Sequence, residues 1–127
     1  MTNYPLGDFL IQIKNAALAG NKELSLRSSK LIASVAKLLK EEKILESVEE
    51  KDGKLSIKLE FFHKEPVLMD LKLVSKPGLR KYASVDDLAS RRRKNVSFLV
   101  VSTPKGILTS EKALKEKVGG EVIAEIW

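Results

Sequence analysis

The chain has 127 residues and a mass of 14.1 kDa, which fits one ordinary domain or two very small ones sharing a core and excludes a large multidomain enzyme. Hydrophobic residues make up 43% of it and charged residues 31%, enough apolar material to close a core and too much for a disordered chain. The balance of 23 Lys+Arg against 17 Asp+Glu leaves a net charge of +6 and a pI near 9.5, a field that favours polyanions and makes nucleic acid the first partner to consider.

The excess is uneven: residues 1–63 hold 10 basic and 9 acidic side chains, a net +1, whereas residues 64–127 hold 13 and 8, a net +5. There is no cysteine and a single histidine, His63, so a disulfide framework, a thiolate zinc site and a multi-imidazole metal site are all excluded. The start, Met1-Thr2-Asn3-Tyr4-Pro5, lacks the basic and apolar regions of a signal peptide, and no apolar run approaches the roughly 18 residues of a membrane span. A soluble, cytoplasmic protein is expected.

Taken in chain order, Pro5 suits a first helical turn, because the amide it lacks has no partner there, and Leu6, Phe9, Leu10, Ile13 and Ala17 follow at helical spacing. This helix is expected to end near Gly20. Glu23 to Arg27 is predicted as a strand. Ser28 or Ser29 supplies the cap of a second helix, with Leu31, Val35, Leu38 and Leu39 as its apolar stripe against Lys30, Lys37 and Lys40. Ile44 to Glu50 and the alternating Leu55, Ile57, Leu59 and Phe61 flank Lys51-Asp52-Gly53-Lys54, a strong hairpin signal because both central residues tolerate positive φ. His63-Lys64-Glu65-Pro66 breaks the pattern where the charge balance shifts, which places a subdomain boundary there, with 1–63 as an amino-terminal α/β subdomain and 64–127 as a carboxyl-terminal one.

Beyond it, Val67, Met69, Leu71 and Leu73 alternate as a strand, and Ser75-Lys76-Pro77-Gly78 has Pro and Gly in type II turn order. Ser84 and Asp87 have capping-box spacing for a short helix through Leu88. Val96 to Val101 reads as a buried strand, Ser102 to Gly106 as a loop, Thr109 as the cap of a helix to about Val118, and Gly119-Gly120 as its stop. Val122, Ala124 and Ile126 close the chain as a strand. Interspersed helices and hairpins, without regular βαβ repeats, make the fold class α+β: an amino-terminal helix/sheet unit and a carboxyl-terminal antiparallel sheet with short helices.

Enzymatic readings find little support, since there is no phosphate-binding loop, dinucleotide fingerprint or helical histidine pair. His63 follows Phe61-Phe62 with no visible nucleophile or orienting partner and reads as structural or solvent-facing. Glu49-Glu50 and Asp86-Asp87 read as a turn flank and a helix-start pair. A small hydrolase or transferase using Asp86, Asp87 and Glu121 would need those carboxylates to converge in a pocket. The run Arg91-Arg92-Arg93-Lys94 supports two readings, phosphate neutralisation or a solvated gatekeeper before an apolar strand. Ser102-Thr103-Pro104-Lys105-Gly106 offers two hydroxyls, a stiff proline, a cation and a permissive glycine, suiting either a rigid loop that probes base edges and sugar hydroxyls or a plain turn.

Three ordered blocks carry a resemblance: Ser75-Lys76-Pro77-Gly78-Leu79-Arg80-Lys81-Tyr82, Val101-Ser102-Thr103-Pro104-Lys105-Gly106-Ile107-Leu108-Thr109, and Val118-Gly119-Gly120-Glu121-Val122-Ile123. With Pro5-Leu6-Gly7-Asp8-Phe9-Leu10, Ile13-Lys14-Asn15-Ala16 and Ser29-Lys30-Leu31, nearly the whole chain resembles the bacterial small-subunit ribosomal protein eight family. The resemblance implies a two-part structural protein, not an enzyme, that binds the central domain of 16S ribosomal RNA early in assembly and touches neighbouring small-subunit proteins, with no cofactor, metal, membrane or small-molecule substrate. It implies RNA contacts by Ser102, Thr103, Pro104 and Lys105, by Tyr82 and Glu121 nearby, by Lys76 and Arg80 of the first block, and by Lys14 and Lys30 of the amino-terminal part. Arg91, Arg92 and Arg93 would add phosphate contacts where the family is usually less basic. Pro104 replaces a usual second serine, Tyr4 an aspartate cap, and Ile11 and Gln12 a frequent threonine and arginine. Some members also repress their own messenger RNA, so a stand-alone RNA-binding translational repressor is the alternative function.

Overall fold

The computed structural model describes residues 4–92 and 97–127, with the backbone alone at Arg92. The chain forms two compact units that divide between Met69 and Asp70. The hairpin of residues 61–66 stays with the first unit, where Phe61 pairs with Pro66 and the Val67 amide donates to the Glu60 carbonyl.

In the first unit, α1 (Pro5–Ala19), β1 (Glu23–Arg27), α2 (Lys30–Glu41), β2 (Leu45–Lys51) and β3 (Lys54–Leu59) precede the short pair β4 (Phe61–Phe62) and β5 (Glu65–Pro66). Pro5 opens α1, and Gly20 closes it at φ 76° with its amide on the Ala16 and Ala17 carbonyls, a left-handed cap that costs glycine no Cβ clash. Ser29 is the residue that caps α2, its Oγ accepting from the Ile32 amide at 3.2 Å. The apolar face of α2 is Ile32, Val35, Ala36, Leu38 and Leu39. Leu31, expected in that stripe, is 44% exposed, because Ile32 holds the inward position and its neighbour lies about 100° around the helix. The sheet is antiparallel in the order β1-β3-β2. Its tight turn is the expected one, with Asp52 at φ 53° and Gly53 at φ 77°, the positive-φ pair of a type I′ hairpin. Strict alternation on β3 buries Leu55, Ile57 and Leu59 and turns Lys54, Ser56 and Lys58 outward.

The second unit contains β6 (Leu71–Leu73), β7 (Tyr82–Ala83), α3 (Val85–Arg92), β8 (Phe98–Thr103), β9 (Gly106–Thr109), α4 (Ser110–Lys115) and β10 (Gly120–Ile126). Its antiparallel sheet runs β6-β10-β8-β9, and β7 also pairs with β10. The helices cover one face through Leu88, Leu99, Val101, Ala113 and Val122, with Val74, Ala83, Leu108 and Val118 packed against them. The α+β class with antiparallel sheets and short helices is the observed one.

Four local expectations are corrected. The strand drawn through Val67 and Met69 begins only at Leu71; Leu68 is buried and Met69 is 78% exposed, so residues 67–70 connect the units out of phase with the alternation. Helix α3 continues past Leu88 to Arg92, and Val96, the expected start of the next strand, lies outside the described residues. The segment read as a loop from Ser102 to Gly106 is a hairpin, with Thr103 opposite Gly106 and only Pro104 and Lys105 between β8 and β9. Helix α4 stops at Lys115 instead of Val118, and the left-handed residue after it is Lys117 at φ 58°, not a glycine.

Gly119 and Gly120 serve close approach instead. A Cβ on Gly120 would lie 2.0 Å from the Ser102 carbonyl oxygen, and one on Gly119 2.3 Å from that of Ala83. Neither obstacle is a movable side chain, so any larger residue must push β10 away from β8 or β7. Gly120→Ala is therefore expected to destabilise the protein by about 2–3 kcal/mol, as overpacking against a rigid neighbour does. Urea denaturation of the purified variant reads this directly, and wild-type stability would show that β10 can retreat freely.

Candidate nucleic-acid interface

Three strands bring the second unit's expected contact residues into one row. Glu121 of β10 stands opposite Ser102 of β8 on one side and opposite Tyr82 of β7 on the other. Directly opposed residues of an antiparallel pair share a face. The next residues along, Val101 and Val122, pack under the helices, so alternation puts the Ser102–Glu121–Tyr82 row on the face turned away from α3 and α4.

Each end of the row is fixed by backbone chemistry. Thr103 spans its turn twice: its Oγ1 donates to the Gly106 carbonyl at 2.7 Å and accepts from the Lys105 amide at 3.1 Å. Pro104 adds a locked φ, and Gly106 closes the turn at φ 114°. The single hydroxyl proton of Thr103 is therefore used inside the hairpin, whereas the half-buried Ser102 hydroxyl has no partner among the described residues.

On the other side, residues 76–80 form an exposed loop pinned by Ser75. The fully buried Ser75 accepts from the Lys81 amide at 2.8 Å and donates to the Lys81 carbonyl at 3.1 Å. Within it, Lys76 and Leu79 exchange backbone hydrogen bonds of 3.1 and 2.9 Å around Pro77 and Gly78, the latter at φ 82°, the type II turn its residues predict. The loop presents Lys76 and carries Arg80, whose guanidinium pairs with the Glu121 carboxylate at 3.2 Å. Glu121 thus orients a cation beside the row. Tyr82 leaves 72% of its surface exposed, an open aromatic side chain at the end of the row, with Glu121 between it and Ser102.

The remaining expected residues are dispersed. Lys105 pairs with Glu116 at 3.3 Å on the surface, a contact worth little when solvated. Lys30 is the exposed first residue of α2, and Lys14 lies half-buried on α1, both in the first unit. Arg93, Lys94 and the side chain of Arg92 lie outside the described residues. Arg91 is drawn inward: it donates to the Ser97 carbonyl at 3.2 Å, to Ser97 Oγ at 2.6 Å and to Glu125 Oε2 at 3.0 Å, and Ser97 Oγ donates to the same carboxylate at 2.6 Å. That Ser102 keeps its hydroxyl unengaged while standing opposite Glu121 was not recoverable from charge or hydropathy, because it depends on the register of β8 with β10.

Two of the three carboxylates weighed for catalysis have other partners: Glu121 pairs with Arg80, and Asp87 with Ser84. Asp87 and Ser84 form a reciprocal capping box, with the Ser84 amide on Asp87 Oδ2 at 2.9 Å and the Asp87 amide on Ser84 Oγ at 3.1 Å. The Ser84 amide and then its hydroxyl hold the Asp87 carboxyl below its ordinary range. Among the described residues no group of three or more His, Cys, Asp or Glu side chains is arranged to hold a metal ion, and no helix is long and apolar enough to cross a membrane.

The Arg91 network predicts a pH dependence of stability. The Ser97 hydroxyl, helped by Arg91 and opposed by burial, lowers the Glu125 pKa. A depressed folded-state pKa means the contribution is present above the unfolded carboxyl range and is lost as pH falls through the folded value. Glu125→Gln is expected to cost about 1–2 kcal/mol at neutral pH, the cost of losing charged hydrogen bonds in a partly buried site. Its deficit against wild type should shrink on acidification, and a constant deficit in denaturation from pH 7 to pH 3 would refute the assignment.

Comparison with known proteins gives consistent matches along the whole described chain. The family model described as Ribosomal protein S8 matches residues 4–127. The chain is similar to the small ribosomal subunit protein uS8 of Nitratidesulfovibrio vulgaris, at 39% identity over 100% of both chains. It is also similar to those of Ectopseudomonas mendocina, at 42% over 97% of this chain and 96% of that one, and Cereibacter sphaeroides, at 40% over 98% of each. A match from Tyr4 to Trp127 at such identity, on a fold whose signature blocks meet in one sheet, means that the chain belongs to the ribosomal protein S8 family.

Proposed function

We propose that the second unit binds a helix of the central domain of 16S ribosomal RNA during small-subunit assembly, with the Ser102–Glu121–Tyr82 row as its reading surface. Family membership carries the coarser statement: the protein is a structural, RNA-binding component of the small ribosomal subunit, works in translation as part of the cytoplasmic ribosome, and is not an enzyme. The single observation that supports the finer reading is the row itself, an exposed aromatic ring, a cation held by Glu121 and an unengaged hydroxyl on one rigid strand face.

That combination matches what irregular RNA offers. Bases splayed from an internal loop stack on aromatic rings, and sugar 2′-hydroxyls and base edges exchange hydrogen bonds with serine. Lys76 and Arg80 supply positive charge beside the row for phosphates and Lys105 supplies it from the β8–β9 turn, with Lys14 and Lys30 adding backbone contacts from the first unit. Thr103 and Pro104 act by holding the hairpin in shape. Arg91 contributes through Glu125 and Ser97 instead of through RNA.

Binding of a central-domain RNA hairpin and a scrambled hairpin, measured across a salt series, tests this. Tyr82→Ala should weaken the cognate RNA by about 1–3 kcal/mol, the usual worth of one stacked base, with an unchanged salt slope. Ser102→Ala should cost about 1 kcal/mol for the lost hydrogen bond. Lys76→Gln should reduce the slope by about one and weaken both RNAs alike. Full discrimination by the doubly substituted Tyr82→Ala, Ser102→Ala protein would remove the row as the reading surface.

A further inference from the structure

The outer face of the three-stranded sheet in the first unit has a charged end that the RNA reading above does not use. Arg27 of β1 stands directly opposite Lys54 of β3, and Lys54 stands directly opposite Lys51 of β2. All three are exposed and alternate outward. They form a single cross-strand row of cations, spanning about 10 Å at the ordinary strand spacing. None of their side chains has a hydrogen-bond or ion-pair partner among the described residues. Lys58, four residues along β3, does have one in Glu23 at 3.7 Å.

Like charges placed directly opposite each other destabilise a sheet. Cations on the outer strands have an ordinary use, discouraging edge-to-edge association, which accounts for Arg27 and Lys51. It does not account for Lys54, because β3 is the central strand. The row is also held in place: the Ser28 amide donates to the Gly53 carbonyl at 2.8 Å, tying the β2–β3 turn to the end of β1, and the Ser28 hydroxyl donates to the Glu50 carboxylate. The next row along, Ser25, Ser56 and Glu49, adds two hydroxyls beside the cations.

We propose that the Arg27–Lys54–Lys51 row is a phosphate-backbone contact site on the sheet of the first unit, additional to Lys14 and Lys30 and independent of base sequence. The three cations outnumber the one carboxylate, Glu49, that the next row places on the same face, so their mutual repulsion is relieved when a run of phosphates lies across them, and each phosphate neutralised releases condensed counterions. This rests on the protein binding RNA through its second unit, but it makes a separate claim about which residues set the salt dependence.

The test uses the full chain and a central-domain transcript of 16S ribosomal RNA, with a scrambled transcript of equal length. Arg27→Gln, Lys51→Gln and Lys54→Gln are combined in one protein, and Lys40→Gln, Lys64→Gln and Lys115→Gln in another, so that both lose the same net charge. The row variant should lose two to three units of salt slope, which makes it roughly one-hundredfold to one-thousandfold weaker at 0.1 M salt and no weaker near 1 M. It should keep the wild-type ratio between cognate and scrambled RNA. The scattered variant should lose less than one unit.

Equal behaviour of the two variants would overturn the proposal and leave the row to an acidic protein segment or to edge protection. Failure of the wild type to discriminate the two transcripts would instead count against the Ser102–Glu121–Tyr82 row, while the slope comparison would still judge the cations. Lys54→Gln alone should raise the urea midpoint of the free protein at low salt, since it removes the charge that faces two others. A lowered midpoint would mean that Lys54 is held by internal partners, which also overturns the proposal.

Discussion

The backbone of β10 lies so close to β8 and β7 that no side chain fits between them at Gly120 or Gly119, and the organisation of the second unit depends on that approach. Because β10 can reach both neighbours at once, one residue, Glu121, stands beside Ser102 and Tyr82 together. A Cβ at either glycine would separate a strand from its partner and break up the row before any contact residue was altered. The glycines act through what they omit, in a place where packing density leaves no alternative.

The candidate interface also shows how polar groups divide between building the surface and remaining available to a partner. Thr103, Ser75 and Ser84 all have hydroxyls engaged with backbone amides or carbonyls, shaping a turn, a loop and a helix start. Ser102 is left over. Among the cations the same division holds: Arg91 is consumed by Glu125 and Ser97, and Arg80 is steered by Glu121. Counting hydroxyls and charges by sequence therefore overstates what a partner can touch, because hydrogen bonds within the unit claim several of them first.

Electrostatics supplies a second contrast. The net charge points to the second half of the chain, yet the first half aligns Arg27, Lys54 and Lys51 in one cross-strand row. Lys51 and Lys54 are already neighbours across the Asp52-Gly53 turn, whereas Arg27 joins them only through the pairing of β1 with β3. Net charge describes the far field, whereas a row of aligned side chains sets the local one.

Elements governed by local chemistry were legible in the sequence. Pro5 and Gly20 bound α1, Asp52-Gly53 made the hairpin, Lys76-Pro77-Gly78 the type II turn, and Ser84 with Asp87 the capping box, because each depends on φ preferences or on a side chain reaching its own neighbouring backbone. The blocks containing Ser102, Tyr82 and Glu121 were legible as candidates through resemblance. Their meeting in one row, the engagement of Thr103 and Arg91, the hairpin at Pro104-Lys105 and the true role of Gly119-Gly120 were decided only by tertiary structure. Each depends on which strand lies beside which, and in what register, a long-range choice that alternation and turn residues do not encode.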